Sequence, residues 1–103
     1  MITKNTSMEN VLLPNLRKST FWDTDFNALD YDRQANAIIK RVFEYGGWEE
    51  ILEITDFYGE EKIKNALLNA RSLRFGAIAL ASTILNIPKI DFYSFTNRPA
   101  YLP

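Results

Sequence analysis

The chain reads as an all-α protein: one compact four-helix domain with an extended N-terminal segment and an extended aromatic C-terminal tail packed on it. Three observations predict this class. Apolar residues recur at helical spacing in successive segments between residues 35 and 86. Glycines and a proline punctuate those segments. The one candidate strand, DFYSF at 91–95, has nothing to pair with. At 103 residues there is room for one core and not for two domains. The expected organisation is a mobile N-terminal segment over 1–20, a helical domain over 21–96 and a tail over 97–103.

Residues 1–20 lack periodicity and are rich in Asn, Ser, Thr and Lys, so they are expected to move until Leu12, Leu13 or Leu16 finds a groove. Residues 21–32, FWDTDFNALDYD, alternate bulk with charge. Phe21, Trp22, Phe26, Leu29 and Tyr31 are expected to bury as a peg, while the aspartates close turns and cap the first helix.

In the first helix Ala35, Ile38, Ile39 and Val42 follow the i, i+3, i+4, i+7 rule, and Phe43 widens the stripe. Asp30 or Asp32 can cap it, and Gly46-Gly47 ends it by allowing a left-handed residue. The second starts at Trp48, with Glu49 and Glu50 where the helix dipole favours negative charge. Trp48, Ile51, Leu52 and Tyr58 form its predicted buried stripe, and Gly59 stops it. The third spans 60–71 and is expected to bury Ile63, Ala66, Leu67 and Ala70. The fourth, from about Phe75 to Asn86, is apolar nearly all round and is therefore expected to be the most central. Gly76, Ala79 and Thr83 form a strip of small residues on it, Ser72 is its expected N-cap, and Ile87-Pro88 ends it. The tail IDFYSFTNRPAYLP is expected to run extended over the bundle.

Composition narrows the chemistry. There is no cysteine and no histidine, so disulfides, thiolate sites and the commonest general base and metal ligand are excluded. Any catalysis would fall to Asp, Glu, Lys, Tyr, Ser or Thr, and no enzyme activity and no cofactor are expected. The N-terminus has no apolar run of signal-peptide length, so Asn5-Thr6-Ser7 matches the glycosylation pattern by chance. The most apolar stretch, FGAIALASTILNI, falls short of the ~20 residues that span a bilayer. The expected location is the cytoplasm, with no membrane partner.

Net charge is −1, but residues 1–60 carry 6 basic and 11 acidic residues, and residues 61–103 carry 6 and 2. The ordinary expectation is that the halves pack together and partly cancel. The sharper one is a basic surface for an acidic partner.

Asp23, Asp25 and Asn27 match the opening D-x-D-x-N of a calcium loop. That loop then needs a glycine and a closing bidentate glutamate, and here those positions are Ala28 and Gln34. Acid–base or magnesium roles for Asp23, Asp25, Asp30 and Asp32 lack any partner motif, so the metal and catalytic sets are read as none.

Segments 48–58 and 60–71, joined at Gly59, can be read as a helix-turn-helix. The second would offer Lys62, Asn65 and Asn69, with Arg71 and Arg74 nearby, to nucleic acid. Its first helix would cross the phosphate backbone with Glu49, Glu50, Glu53 and Asp56 displayed, which phosphates repel. Phe57 and Leu68 lie off their helix stripes. Either the chain ends cover them, or they offer a patch to a protein partner.

FWDTDF, LD, IIKRVFEYGGWEEI, YGEEKIKNAL and ARSL occur in order over residues 21–73. This stretch resembles an uncharacterised family of small bacterial helical proteins with a pattern FWD-x-D, LD, I-x-x-R-V-x-E-x-G and YG-x-x-x-I. The matching positions are fold-forming ones. Family members continue with a Ser-Pro start to the last helix and a Phe-Trp pair within it, where this chain has Arg74-Phe75 and Leu80-Ala81. Members are often encoded beside nucleotidyltransferase-type toxins. The resemblance therefore implies an antitoxin-like or accessory role, as a non-enzymatic interaction module with the toxin as protein partner. The alternative is a small DNA-binding regulator.

Overall fold

The computed structural model describes residues 13–97. Four helices carry the fold: α1 (Ala35–Tyr45), α2 (Trp48–Tyr58), α3 (Glu60–Asn69) and α4 (Phe75–Leu85). A single turn, α5 (Tyr93–Thr96), comes after them, and short 3-10 turns occupy Lys18–Phe21, Phe26–Ala28 and Lys89–Asp91. No strand is present among the described residues. The predicted all-α class with four principal helices is what the chain adopts, and no helix among the described residues is long and apolar enough to cross a membrane.

The centre of the bundle is α1, not α4. Helix α1 packs on α2, α3 and α4 together, and Ile38, Ile39 and Val42 on it are fully enclosed. Helix α4 buries only Ala77, Ile78, Ala81 and Leu85. Its small-residue strip faces outward: Gly76 and Thr83 are exposed, and a Cβ added at Gly76 would touch nothing within 4 Å. All-round apolarity predicted enclosure, but three helices already surround α1 and α4 covers the bundle from one side.

Helix α2 shows a second departure. Ile51 and Ile54 form its buried stripe, with Tyr58 half-buried, while Trp48 and Leu52 stand 57% and 51% exposed. Both stripes fit helical spacing, and the neighbours α1 and α3 select the β-branched one. Helix α3 buries Ile63, Ala66 and Leu67 as predicted, but it stops at Asn69, leaving Ala70 half-buried and Arg71 beyond its end.

The helix ends show how local chemistry sets the turns. Asp30, rather than Asp32, orders the approach to α1: its carboxylate accepts from the N–H groups of Asp32 (3.1 Å) and Arg33 (3.0 Å). The Gln34 side chain reaches back to the Asp30 N–H at 2.7 Å, a reciprocal arrangement of capping-box type. Gly46 is not left-handed, with φ −86° and ψ 174°. Glycine is required there by space: a Cβ would lie 2.8 Å from the Val42 carbonyl and 2.9 Å from the Glu50 carboxylate. Gly59 does take a positive φ of 90°, with ψ 149°, a region open essentially to glycine alone. Ser72 does not cap α4. The Glu44 carboxylate accepts from the Arg74 N–H at 2.8 Å and pairs with Lys40 at 3.3 Å, tying α1 to the start of α4. At the other end Asn86 is left-handed, and its N–H and that of Ile87 both reach the Ser82 carbonyl.

Both flanking segments pack. Pro14, Leu16, Thr20 and Phe21 are buried, so the packed chain begins well before residue 21, whereas Leu13 is exposed and Leu12 lies outside the described residues. The tail is coiled rather than extended through Asn97, and its remainder lies outside the described residues. Phe92, between the 3-10 turn and α5, is completely buried. An aromatic side chain buried to that degree contributes roughly 1.5–3 kcal/mol, enough to fold the tail onto the bundle.

Candidate functional site

The peg is Phe21, not Trp22. Phe21 is 4% exposed and Trp22 is 61% exposed. A 3-10 turn spreads three successive side chains around its axis, so with Thr20 and Phe21 both on the inward side Trp22 takes the outward one. Phe26, Leu29 and Tyr31 are half-buried against the core. Trp22 instead stands edge-on to Tyr45, centroids 4.8 Å apart, with the Arg41 guanidinium 4.6 Å over its ring.

Arg41 organises this corner. It donates to the Thr20 carbonyl at 3.3 Å and forks onto Asp23 at 2.8 and 3.1 Å. The hydrogen bond from Arg41 holds the Asp23 carboxyl below its ordinary range. Asp25 accepts from the Asn27 N–H at 3.2 Å, and the Arg33 N–H foremost lowers Asp30 against the opposing effect of burial. Asp23, Asp25 and Asp30 thus point to separate partners, and among the described residues no three acidic side chains converge as a metal site would need. Arg74 sits 4.7 Å over the other aromatic of the corner, Tyr45.

Glu50 is the group that sequence reasoning misplaced most. Expected on a displayed acidic face, it is 3% exposed. Its oxygens accept from the Arg17 N–H (2.7 Å), the Gly47 N–H (3.0 Å), the Thr20 hydroxyl (2.9 Å) and the Arg17 guanidinium (3.2 Å). Burial alone raises a carboxyl, but these donors outweigh it and leave Glu50 below its ordinary value. The bond to Gly47 N–H is also the side-chain half of a capping box, with Glu50 at the third position of α2. One carboxylate therefore starts α2 and clamps the N-terminal segment to it.

The rest of the outer face of α2 remains acidic. Glu49, Glu53 and Asp56 are exposed, and Glu53 accepts only the Asn15 N–H, at 2.9 Å. Trp48 and Leu52 run beside them, one turn apart. Phe57 lies past the acids, half-buried, with its ring edge-on to Tyr31 at 5.9 Å and Tyr58 at 4.9 Å. It borders an open hollow shared with Leu13, Tyr31, Asp30 and Asp32, where, among the described residues, Lys62 is the one cation. Leu68 is half-buried against the core.

Lys62, Asn65 and Asn69 do come together. They line a shallow groove between α1 and α3 with Asn36 and Glu61, and it continues past Asn69 to Lys40, Arg71 and Ser72. Arg74 lies outside this groove. Only Gly59 separates α2 from α3, a shorter link than the three or four residues of a helix-turn-helix.

Trp48, Leu52, Trp22, Arg41 and Glu50 were not singled out as site residues by the sequence. The available signal for the first two was the competing stripe of Ile51, Ile54 and Tyr58, which leaves them on the outside when it is the one buried. Residues 16–67, spanning the N-terminal clamp through α3, match the model of a family of unknown function, DUF6922. No curated protein and no solved structure matches the chain.

Proposed function

The chain belongs to that family of unknown function, and we propose that it is a non-enzymatic protein-interaction module, the antitoxin-like partner of a toxin encoded beside it. One observation carries the interaction reading: both tryptophans of the chain stand more than half exposed on ordered elements, Trp22 at 61% and Trp48 at 57%. Tryptophan is costly to leave in water and is the residue most enriched among binding hot spots. Asp23, Asp25, Asp30 and Glu50 are engaged in turns, caps and clamps, with Asp23, Asp30 and Glu50 each held below its ordinary value. The partner's identity comes from the resemblance described above. The test is co-expression with the product of the adjacent gene. Co-purification and relief of that product's toxicity are expected, and a lone monomer with no rescue overturns the reading.

A second reading, a DNA-binding regulator, is favoured by the groove that gathers Lys62, Asn65 and Asn69 beside Asn36, Lys40 and Arg71. Asparagine and lysine are base- and phosphate-reading residues. An electrophoretic shift of the chain's own promoter, lost with Lys62→Ala and Asn65→Ala, supports it, and no shift at low salt removes it.

A further inference from the structure

We propose that the outer face of α2, together with the hollow beside Phe57, docks an amphipathic helix of a partner protein that sets Lys or Arg around apolar anchors. This deepens the interaction reading and rests on it. Three rows run side by side around α2. The first is an apolar ridge of Trp48 and Leu52, 57% and 51% exposed. The second is the acidic row Glu49, Glu53 and Asp56, all exposed. The third is Phe57, at the edge of a hollow whose rim carries Asp30 and Asp32 and, among the described residues, the single cation Lys62.

Arg17 is the cation that lines a hollow with Trp48, Glu49 and Glu53 among the described residues, and its ion pair is with Glu50, not with these acids. Among the described residues Glu49 and Asp56 make no ion pair and no hydrogen bond, and Glu53 has only a backbone N–H. Residues 1–60 carry 6 basic against 11 acidic groups. Among the described residues the one ion pair joining them to the basic remainder is Lys64–Glu60, a contact of 3.8 Å within α3. Among the described residues the two halves therefore do not cancel through ion pairs, and negative charge is displayed around exposed apolar side chains. Such a face repels phosphates and anionic lipid and attracts cations. An apolar ridge running beside an acidic row suits a helix that carries apolar anchors flanked by basic residues. A second copy of the chain offers exposed cations, Lys62 and Arg71 among them, but the apolar stripe of α3 (Ile63, Ala66 and Leu67) is already buried, so α3 presents no free basic amphipathic face, and Arg74 and Lys89 already lie over Tyr45 at 4.7 Å and Phe75 at 5.4 Å. A separate basic protein is the better occupant.

Trp22→Phe leaves Trp48 as the sole tryptophan and lies outside the face. In that background, a synthetic amphipathic helical peptide of leucine and lysine is expected to shift Trp48 emission to the blue, with an affinity that falls as salt rises. Glu49→Lys with Asp56→Lys, and separately Leu52→Ala, should weaken it about tenfold or more, a loss of about 1.4 kcal/mol. A leucine–glutamate peptide should cause no shift. Circular dichroism confirms that each variant is folded. Equal binding by the double variant or by the glutamate peptide overturns the proposal, as does absence of a shift. A blue shift on concentrating the protein alone overturns it in favour of a second copy. If the adjacent gene product co-purifies equally well with the Glu49→Lys/Asp56→Lys variant, the interaction reading stands and this face is wrong. If the peptide binds as described and the adjacent product does not, the face stands and the antitoxin-like assignment falls.

Discussion

Replacing Glu50 by alanine tests how the N-terminal segment is held. The carboxylate is buried and receives two backbone N–H groups, a buried hydroxyl and a guanidinium, from Arg17, Gly47, Thr20 and Arg17 again. Hydrogen bonds to a charged group contribute roughly 1.5–3 kcal/mol each, and donors left buried without an acceptor cost about 1–3 kcal/mol. Arg17 is exposed enough for water to recover part of its share. The expected loss is therefore about 3–5 kcal/mol, the range for breaking a buried charged pair. For a domain of this size that lowers Tm by at least about 12 °C, at about 4 °C or more per kcal/mol. Urea denaturation of wild type, Glu50→Ala, Thr20→Val and the double variant reads it. A coupling of about 1–2 kcal/mol between the two positions is expected, since they share a hydrogen bond. The pH dependence has a definite sign. Because the folded value lies below the ordinary 4.5, the contribution is complete above that value and is lost as pH falls through the folded one. Wild type and Glu50→Gln should differ at neutral pH and converge in acid. A Glu50→Ala loss under about 1 kcal/mol, or stabilities still apart in strong acid, refutes the clamp.

Phe92→Ala should cost about 3–5 kcal/mol in denaturation, because the ring is fully enclosed, whereas Trp22→Ala, whose exposed ring lies against Tyr45 and Arg41, should cost about 1 kcal/mol. Gly59→Ala should destabilise by about 1–3 kcal/mol from its φ of 90° alone, while Gly76→Ala, with open space around the new Cβ, should stabilise by about 0.4–1 kcal/mol. The Tyr58 hydroxyl donates to the Tyr31 carbonyl at 2.7 Å, and burial, aided by Tyr31, Asp32 and Asp30, pushes its pKa up to about 12. Its contribution is thus complete below the ordinary value of 10.0 and lost as pH rises toward 12. Tyr58→Phe should cost about 1 kcal/mol at neutral pH and remove that alkaline decline, as read by thermal melts across the range.

What the sequence determined by itself is local. The stripe of Ala35, Ile38, Ile39, Val42 and Phe43, the start of α2 at Trp48 and its stop at Gly59 come from periodicity and glycine geometry over a few residues, and all appear as read. The tertiary structure decided the choices between locally equivalent options. It buried Ile54 rather than Leu52 on α2, turned Phe21 in and Trp22 out, and put α1 rather than α4 at the centre. It also drew Glu50 inside by supplying donors from a segment some thirty residues earlier in the chain. Helical spacing states which side chains share a face but not which of two apolar faces meets a neighbour. A carboxylate shows in the sequence only as a charge, until folding brings the N–H and O–H groups that make its burial stable.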